Sequence, residues 1–143
     1  MSPRNCATDM SIYLELYNGG PIHRIELTRA RVRRSRIKLL AKSLAMREAA
    51  LAADLGIRPG KSKFLPLAPS ERVIGLMSLV GSVEKMVARS GASDFDSAKW
   101  LGAWLSTPLS ALGGVRPGSY LDTIMGQDLL GRLIGMAEAS VYA

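Results

Sequence analysis

Side chains that commonly carry catalysis are scarce in this chain. Its 143 residues include one histidine, His23, and one cysteine, Cys6. A nucleophile–histidine–acid set built on His23 would need an ordered pocket beside a proline turn, which the sequence does not indicate. The carboxylates Asp94 and Asp96 are better suited to capping a helix than to acid–base catalysis. We therefore interpret the protein as a non-enzyme.

The sequence predicts no metal or cofactor site. One histidine, one cysteine and scattered carboxylates form no zinc-type ligand cluster. The glycines near positions 113 and 118 lack the preceding strand and the following Lys-Ser/Thr of a phosphate-binding loop. A single cysteine excludes an internal disulfide. No signal peptide is evident, and the longest uncharged apolar run, residues 73–83, is about half a membrane span. We expect a cytoplasmic protein without a cofactor.

Charge is divided unevenly along the chain. The formal net charge is +7, yet residues 1–63 hold 13 Lys and Arg against 5 Asp and Glu, whereas residues 64–143 hold 6 against 7. A basic front half and a near-neutral back half indicate a polyanion-binding module joined to a protein-binding module. A merely solvated basic face is the alternative. The cations expected to contact DNA are Arg29, Arg31, Arg33, Arg34, Arg36, Lys38, Arg58, Lys61 and Lys63.

Helices are the elements predicted to position these residues. Hydrophobic residues make up 48% of the chain and aromatic residues 6%, which favours an all-α fold with an aliphatic core. Residues 1–24 are weakly patterned. The alternation of Ile12, Leu14 and Leu16 is compatible with a short strand, and a mobile arm is equally compatible. The run from Asn18 to Pro21 should interrupt the chain.

The basic segment predicts a helix-turn-helix-like unit. Residues 25–45 and 47–57 are the predicted helices, with Gly56 ending the second. In such a unit, residues 58–64 would form the DNA-reading helix. Gly60 directly after Pro59 disfavours that helix, by about 1 kcal/mol relative to Ala for the glycine. We expect this element to be short, bent or ordered only on DNA, and to contact phosphates rather than bases.

Two further helices are predicted to form the scaffold. Residues 69–90 carry apolar side chains at 3.6-residue spacing, and Gly91 should end that helix. Asp94 should cap the next one, whose inward stripe is Phe95, Ala98, Leu101 and Leu105. Trp100 and Trp104 lie four residues apart on one flank. They either join the core or anchor a partner.

The C-terminal run from Trp104 to Ala143 changes direction several times. Thr107-Pro108 should begin a single helical turn that Gly113-Gly114 ends, and Pro117 should begin another. A last helix is predicted over residues 127–139. Its buried face is expected to contain Leu130, Leu133, Ile134 and Ala137.

This run resembles a known family. The residues that carry the resemblance are Trp104-Leu105, Thr107-Pro108, Leu112-Gly113-Gly114, Pro117, Thr123, Gly126 and the final Val141-Tyr142-Ala143. In this order and spacing they are similar to the toxin-binding domain of Xre/MbcA/ParS antitoxins. The resemblance is close over roughly the last third of the chain and looser before it. The Pro59-Gly60 pair departs from the family's recognition helix.

The resemblance implies a helix-turn-helix-like or dimerisation region over residues 25–90 and a toxin-binding domain over residues 91–143. It implies a homodimer that represses its own operon and forms larger complexes with a RES-domain toxin, an NAD-consuming enzyme. The C-terminal tip of the family enters the toxin's active site. Here the tip is Val141, Tyr142 and Ala143, with Ser140 and Glu138 at the rim and Trp104 as a further toxin contact.

Two other interpretations stay open. One is a free-standing DNA-binding regulator without a toxin. The other is an antitoxin that has lost specific DNA binding, as the Pro59-Gly60 pair suggests. A Tyr142 side chain folded back onto its own core would exclude the plug.

Overall fold

The computed structural model describes the backbone of residues 11–92 and 94–142, and side chains up to residue 137. This part of the chain contains helices and no strand, so the all-α prediction is confirmed. The α-helices are α1 (Ile12–Asn18), α2 (Gly20–Ala30), α3 (Arg36–Leu44), α4 (Glu48–Asp54), α5 (Leu67–Ser90), α6 (Ser97–Ser106) and α7 (Ile124–Tyr142). Two 3-10 turns, Ser110–Leu112 and Pro117–Tyr120, lie between α6 and α7.

Helix α5 is the central scaffold, as its apolar periodicity predicts. It contacts α1, α2, α6 and α7. The predicted stripe is buried at Val73, Leu76, Met77, Val80 and Val83 and half-buried at Val87. Gly91 ends the helix with a left-handed φ of 83°. The helix begins at Leu67 rather than at Pro69, because a proline is tolerated in the first turn of a helix.

The predicted strand or mobile arm before residue 24 is wrong for the described residues. Residues 12–18 form α1, and the Ser11 hydroxyl caps it by accepting the Leu14 N–H at 3.0 Å. Tyr13 and Leu16 are buried. Tyr13 and Leu16 are three residues apart and share one helix face, and a short run of apolar and aromatic residues contains this spacing as well as an alternation by two. The predicted break is confirmed at Gly20, whose φ is 85°.

The predicted helix over residues 25–45 is wrong in its middle, because the chain leaves the helix between α2 and α3. Arg31 has a φ of 73°, and the Val32 N–H donates to the buried Ser70 hydroxyl at 2.9 Å. Arg33 then pairs with Phe64 as an isolated antiparallel bridge. Crowded arginines give a helix little local support, so these long-range hydrogen bonds decide the local conformation.

Helix α4 lies within the predicted residues 47–57, and Gly56 follows it with a φ of 68°. Residues 58–64 form no helix, in line with the Pro59-Gly60 pair. They run alongside the segment between α2 and α3 instead. The helix-turn-helix-like unit therefore lacks a helix at the position expected to read DNA.

The predicted cap of α6 is wrong by two residues. Asp96, not Asp94, precedes the helix, and its carboxylate accepts the Lys99 N–H at 3.0 Å. Phe95 consequently lies outside the helix and is exposed, contrary to its predicted inward position. Ala98, Leu101 and Leu105 are buried as predicted.

Replacing Asp96 with alanine should lower the free energy of unfolding by about 1 kcal/mol, because the cap bond is lost. Asp94→Ala is the matched control, since Asp94 is exposed and lies two residues before the cap position. Urea unfolding of both variants measures the difference. Equal losses for the two would contradict the assignment of the cap.

The chain after α6 follows the predicted plan with two corrections, at Thr107 and at Ala137. Thr107 is no cap: its hydroxyl donates to the Ala103 carbonyl at 2.8 Å, and the first 3-10 turn begins after Leu109. Pro117 begins the second turn as predicted. In α7, Leu130 and Ile134 are buried and Leu133 is half-buried, but Ala137 is exposed.

Helix α7 is anchored at its start by Gln127. This buried side chain donates through Nε2 to the Arg72 carbonyl of α5 at 3.0 Å and to the Leu121 carbonyl at 2.9 Å. The Thr123 hydroxyl accepts the Gly126 N–H at 2.9 Å, which lets the helix begin at Ile124, before the predicted residue 127. Its first turns are therefore fixed against α5.

Candidate functional site

Helix α7 continues beyond its last described core residue. Ile134 is the last buried residue of the described side chains, and residues 135–137 are exposed. The helix continues to Tyr142, a further rise of about 12 Å at 1.5 Å per residue. Ser140, Val141 and Tyr142 belong to this helix by their backbone. The side chains of Glu138, Ser140, Val141 and Tyr142, and the whole of Ala143, lie outside the described residues.

An exposed apolar stripe precedes that end on α7, and the sequence reasoning missed it. Met125 is 84% exposed, Met136 59% and Leu129 38%. Spacings of four and seven residues place these three side chains along one side of the helix, apart from the buried Leu130 and Ile134. Methionine adapts to irregular partner surfaces. The sequence contains this stripe as a second set of apolar residues at helical spacing, beside the set that is buried.

The two tryptophans form a partly buried aromatic cluster. Trp100 and Trp104 stack with ring centroids 6.1 Å apart and an interplanar angle of 19°, and Phe95 lies 6.4 Å from Trp100. Both indoles pack against the core while keeping part of their surface exposed. The predicted shared flank is confirmed. Trp104 therefore combines a core contact with a surface that a partner can reach.

The structure brings the two basic segments of the chain together. Beside the Arg33–Phe64 bridge, the Arg34 N–H donates to the Lys63 carbonyl at 2.9 Å, and the Leu65 N–H donates to the Val32 carbonyl at 2.8 Å. We call the surface formed by residues 31–38 and 58–64 the basic face. Its candidate DNA contacts are Arg31, Arg33, Arg34, Arg36, Lys38, Arg58, Lys61 and Lys63.

Arg34 differs from the other cations of the basic face. Its Nε donates to the Ser62 carbonyl at 2.9 Å and its Nη1 to the Arg58 carbonyl at 3.1 Å. A guanidinium that bridges two loop carbonyls shapes the loop and has fewer donors left for phosphate. Arg29 lies apart from the basic face, in an open groove of about 990 Å³ between α2 and α7.

An ion pair connects the front of the chain to the C-terminal turns. Arg116 reaches Asp54 of α4 with Nη2–Oδ1 at 3.0 Å and Nη1–Oδ2 at 3.4 Å. The hydrogen bond and the charge of Asp54 raise the pKa of the Arg116 guanidinium above its ordinary value. Such a pair fixes orientation more than it adds stability, because the arginine is half exposed.

The candidate catalytic groups are not brought together. His23 lies exposed on α2, Asp96 is a helix cap and Asp94 is exposed. Cys6 lies outside the described residues. Over residues 11–92 and 94–137, the structure contains no group of three or more His, Cys, Asp or Glu side chains arranged to hold a metal ion. None of the helices described is long and apolar enough to cross a membrane.

Comparison with known proteins decides the family. Residues 91–139 match the family described as the antitoxin Xre/MbcA/ParS C-terminal toxin-binding domain. A relative from Sphingobium sp. (strain YBL2), named Prs ADP-ribosylating antitoxin, is 34% identical over 139 residues, which cover 92% of this chain and 87% of the relative. The chain belongs to the Xre/MbcA/ParS antitoxin family. No solved structure matches it.

The matched toxin-binding domain of this antitoxin begins where α5 ends. It begins at Gly91, the residue that ends α5, and stops at residue 139, inside α7. The exposed α7 stripe and the tryptophan pair therefore lie in the toxin-binding domain. The basic face lies wholly before the domain, and the final residues 140–143 lie just after it. As an antitoxin of a toxin–antitoxin system, the protein has a toxin as its partner.

Proposed function

We propose that this antitoxin neutralises an NAD-consuming RES-domain toxin by direct binding, with the C-terminal end of α7 entering the toxin's active site. The continuation of α7 to Tyr142, well past Ile134, the last buried residue among the described side chains, carries this proposal. An end that is already helical loses little conformational entropy when it inserts into a cavity. Val141 and Tyr142 supply apolar surface, and the tyrosine hydroxyl supplies a polar group that can find a partner in the pocket.

The class of toxin is supported by the named relative. Its name joins an antitoxin to ADP-ribosylation of Prs, and ADP-ribosyl groups are transferred from NAD. A stopper in an NAD site has to fill a pocket built for an adenine or nicotinamide ring, which suits an aromatic side chain such as that of Tyr142. Ala143 would continue the tip into the pocket, with Ser140 and Glu138 at its rim.

The α7 stripe supplies the docking surface that the tip needs. Met125, Leu129 and Met136 are exposed on the element that bears the tip, so a toxin that covers the stripe holds the tip in register. Trp104 adds a rigid aromatic contact, of the type enriched at interface hot spots. The three residues of the tip then contribute inhibition, and the stripe contributes most of the affinity.

Co-expression with the protein encoded by the adjacent gene tests the proposed pairing. The expected result is rescue of growth together with a purified complex of antitoxin and toxin that lacks NAD-consuming activity. Normal growth of cells expressing the adjacent gene alone, with no complex on purification, would favour the alternative of a free-standing regulator.

We propose DNA binding by the basic face as the second activity, with repression of the antitoxin's own operon by a homodimer. The pairing of residues 32–34 with residues 63–65 supports it, because it brings cations from two distant segments together. The absence of a helix over residues 58–64 favours contacts to phosphates over reading of base edges.

Replacing Lys61 and Lys63 together by alanine should weaken promoter binding and lower its salt dependence. Two lost phosphate contacts reduce the slope of log K against log salt concentration by about 2. Fluorescence anisotropy from 50 to 200 mM salt measures the slope. Lys99→Ala, an exposed lysine of α6 in the near-neutral half of the chain, is the control and should leave it unchanged.

An unchanged slope in the double variant would exclude Lys61 and Lys63 as phosphate contacts. Competition with random DNA separates specific from general binding. If random DNA competes as well as the promoter, the interpretation of an antitoxin without specific DNA binding is correct.

A further inference from the structure

The basic face contains an exposed aromatic ring. Phe64 is 42% exposed although it is a large apolar side chain. The guanidinium of Arg33 lies over its ring, 5.1 Å from the centroid. Lys63 precedes Phe64 in the chain, and Lys61 is exposed nearby in sequence. A ring with a stacked guanidinium and neighbouring cations combines the two features that hold an unpaired base and its phosphate.

Arg33 also borders a pocket of about 350 Å³ between α1, α2 and α5. The apolar part of its lining includes Leu16, Ile74 and Met77, and its polar and charged lining consists of Arg31, Arg33, Arg36, His23 and Glu15. The volume is at the lower end of the range of roughly 300–1,000 Å³ for small-molecule sites. Three arginines against one carboxylate favour an anionic ligand with a flat apolar part.

We infer that Phe64, Arg33 and this pocket form a binding site for an unpaired nucleotide of a single-stranded nucleic acid. A base stacks on the Arg33–Phe64 pair beside the pocket that Arg33 borders, and its phosphates meet Arg31 and Arg36. Glu15 can accept a hydrogen bond from an N–H of a base, such as N3–H of thymine. The ligand class is therefore a base with a phosphate attached.

A single strand fits this site better than a duplex does. Bases of a duplex are stacked on each other and expose only their edges in the grooves, so an aromatic face at the surface gains nothing from them. The loop that carries Phe64 contains no helix to enter a major groove. An unpaired base offers a free face, and stacking on an aromatic side chain strengthens its binding whatever the sequence.

The site shares Arg31, Arg33 and Arg36 with the proposed duplex contacts and differs from them because it also requires the Phe64 ring. Duplex binding needs phosphate contacts alone, whereas the nucleotide site needs the Phe64 ring as well. Binding of a labelled 12-nucleotide oligothymidine and of promoter duplex to the full-length antitoxin, both followed by fluorescence anisotropy, distinguishes the two activities.

Phe64→Leu is the decisive variant, because leucine retains an apolar side chain at the bridge position while removing the aromatic face. It should weaken oligothymidine binding about fivefold or more and leave duplex binding within about twofold. Phe64→Tyr should keep wild-type affinity for the oligonucleotide. Phe95→Leu is the matched control, since Phe95 is 45% exposed but lies in the near-neutral half, and it should change neither affinity.

Three results would overturn the inference: no oligothymidine binding by the wild-type protein, equal affinities of wild type and Phe64→Leu, or equal losses for single strand and duplex. Duplex binding without single-strand binding would leave the proposed promoter contact standing and remove only the nucleotide site. Competition with thymidine monophosphate shows whether a single nucleotide or a longer strand is the ligand. Displacement indicates that one nucleotide suffices, and no displacement indicates that a strand is needed; both results support the base site.

Discussion

Deleting residues 141–143 is expected to abolish neutralisation of the toxin without unfolding the antitoxin. The last described core residue of α7 is Ile134, so the deletion removes nothing from the described core. The thermal unfolding transition should therefore match that of the wild type. Neutralisation should nevertheless fail, because the group proposed to occupy the NAD site is gone. A growth assay with co-expressed toxin, together with an assay of NAD consumption, measures the loss.

A variant of equal length shows whether inhibition depends on the side chains of the tip or only on the length of the chain. Replacing residues 141–143 by Gly-Ser-Gly keeps the chain length and removes the apolar and aromatic groups. It should fail to inhibit NAD consumption, while the α7 stripe still supports a complex that can be purified. Full neutralisation by both variants would show that inhibition comes from the docking surface instead of from a plug.

Gly102→Ala is expected to lower the free energy of unfolding by about 2 kcal/mol. Gly102 lies in α6 where that helix crosses the end of α3, and an added methyl group would overlap the carbonyl oxygen of Leu44. The obstacle is backbone, so the two helices must move apart, which exposes part of the core they share. The higher helix propensity of alanine, about 1 kcal/mol, offsets only part of this loss. Urea unfolding measures the change.

Gly135→Ala is the matched control for this prediction. Gly135 also lies within a helix, but an added methyl group there would meet no atom within 4 Å. The same substitution should therefore raise the free energy of unfolding by about 0.5–1 kcal/mol. Opposite signs for the two variants would identify close packing of α3 on α6 as the cause. Stabilisation by both would contradict the close contact.

The features that could be predicted from the sequence have local causes. The apolar stripe of α5, the left-handed end at Gly91 and the turn begun by Pro117 each depend on a few neighbouring residues. The C-terminal motif is local too, and its family is confirmed. These local patterns predict the observed structure because no hydrogen bond from a distant segment changes the backbone at these positions.

The largest misprediction depends on distant partners. The helix expected over residues 25–45 is interrupted because Val32 bonds to Ser70 and Arg33 pairs with Phe64, and neither partner is visible in the local pattern. The same pairing gathers the basic face, and no sequence signal showed that Phe64 and Arg33 would meet. The exposed apolar stripe of α7 was present in the sequence beside the register correctly predicted to be buried, but periodicity alone does not show that a second apolar register faces solvent.

Photocrosslinking from the tip tests the proposed plug most directly. A photoreactive aromatic residue, introduced as Tyr142→p-benzoylphenylalanine in the full-length antitoxin, can be irradiated in the purified complex with the toxin. Mass spectrometry then identifies the attached peptides. The proposed plug predicts crosslinks to toxin residues that line its NAD site. Excess NAD, added after the complex has formed and before irradiation, should not lower the yield of these crosslinks. Crosslinks confined to the antitoxin itself, or to toxin surface remote from that site, would contradict it.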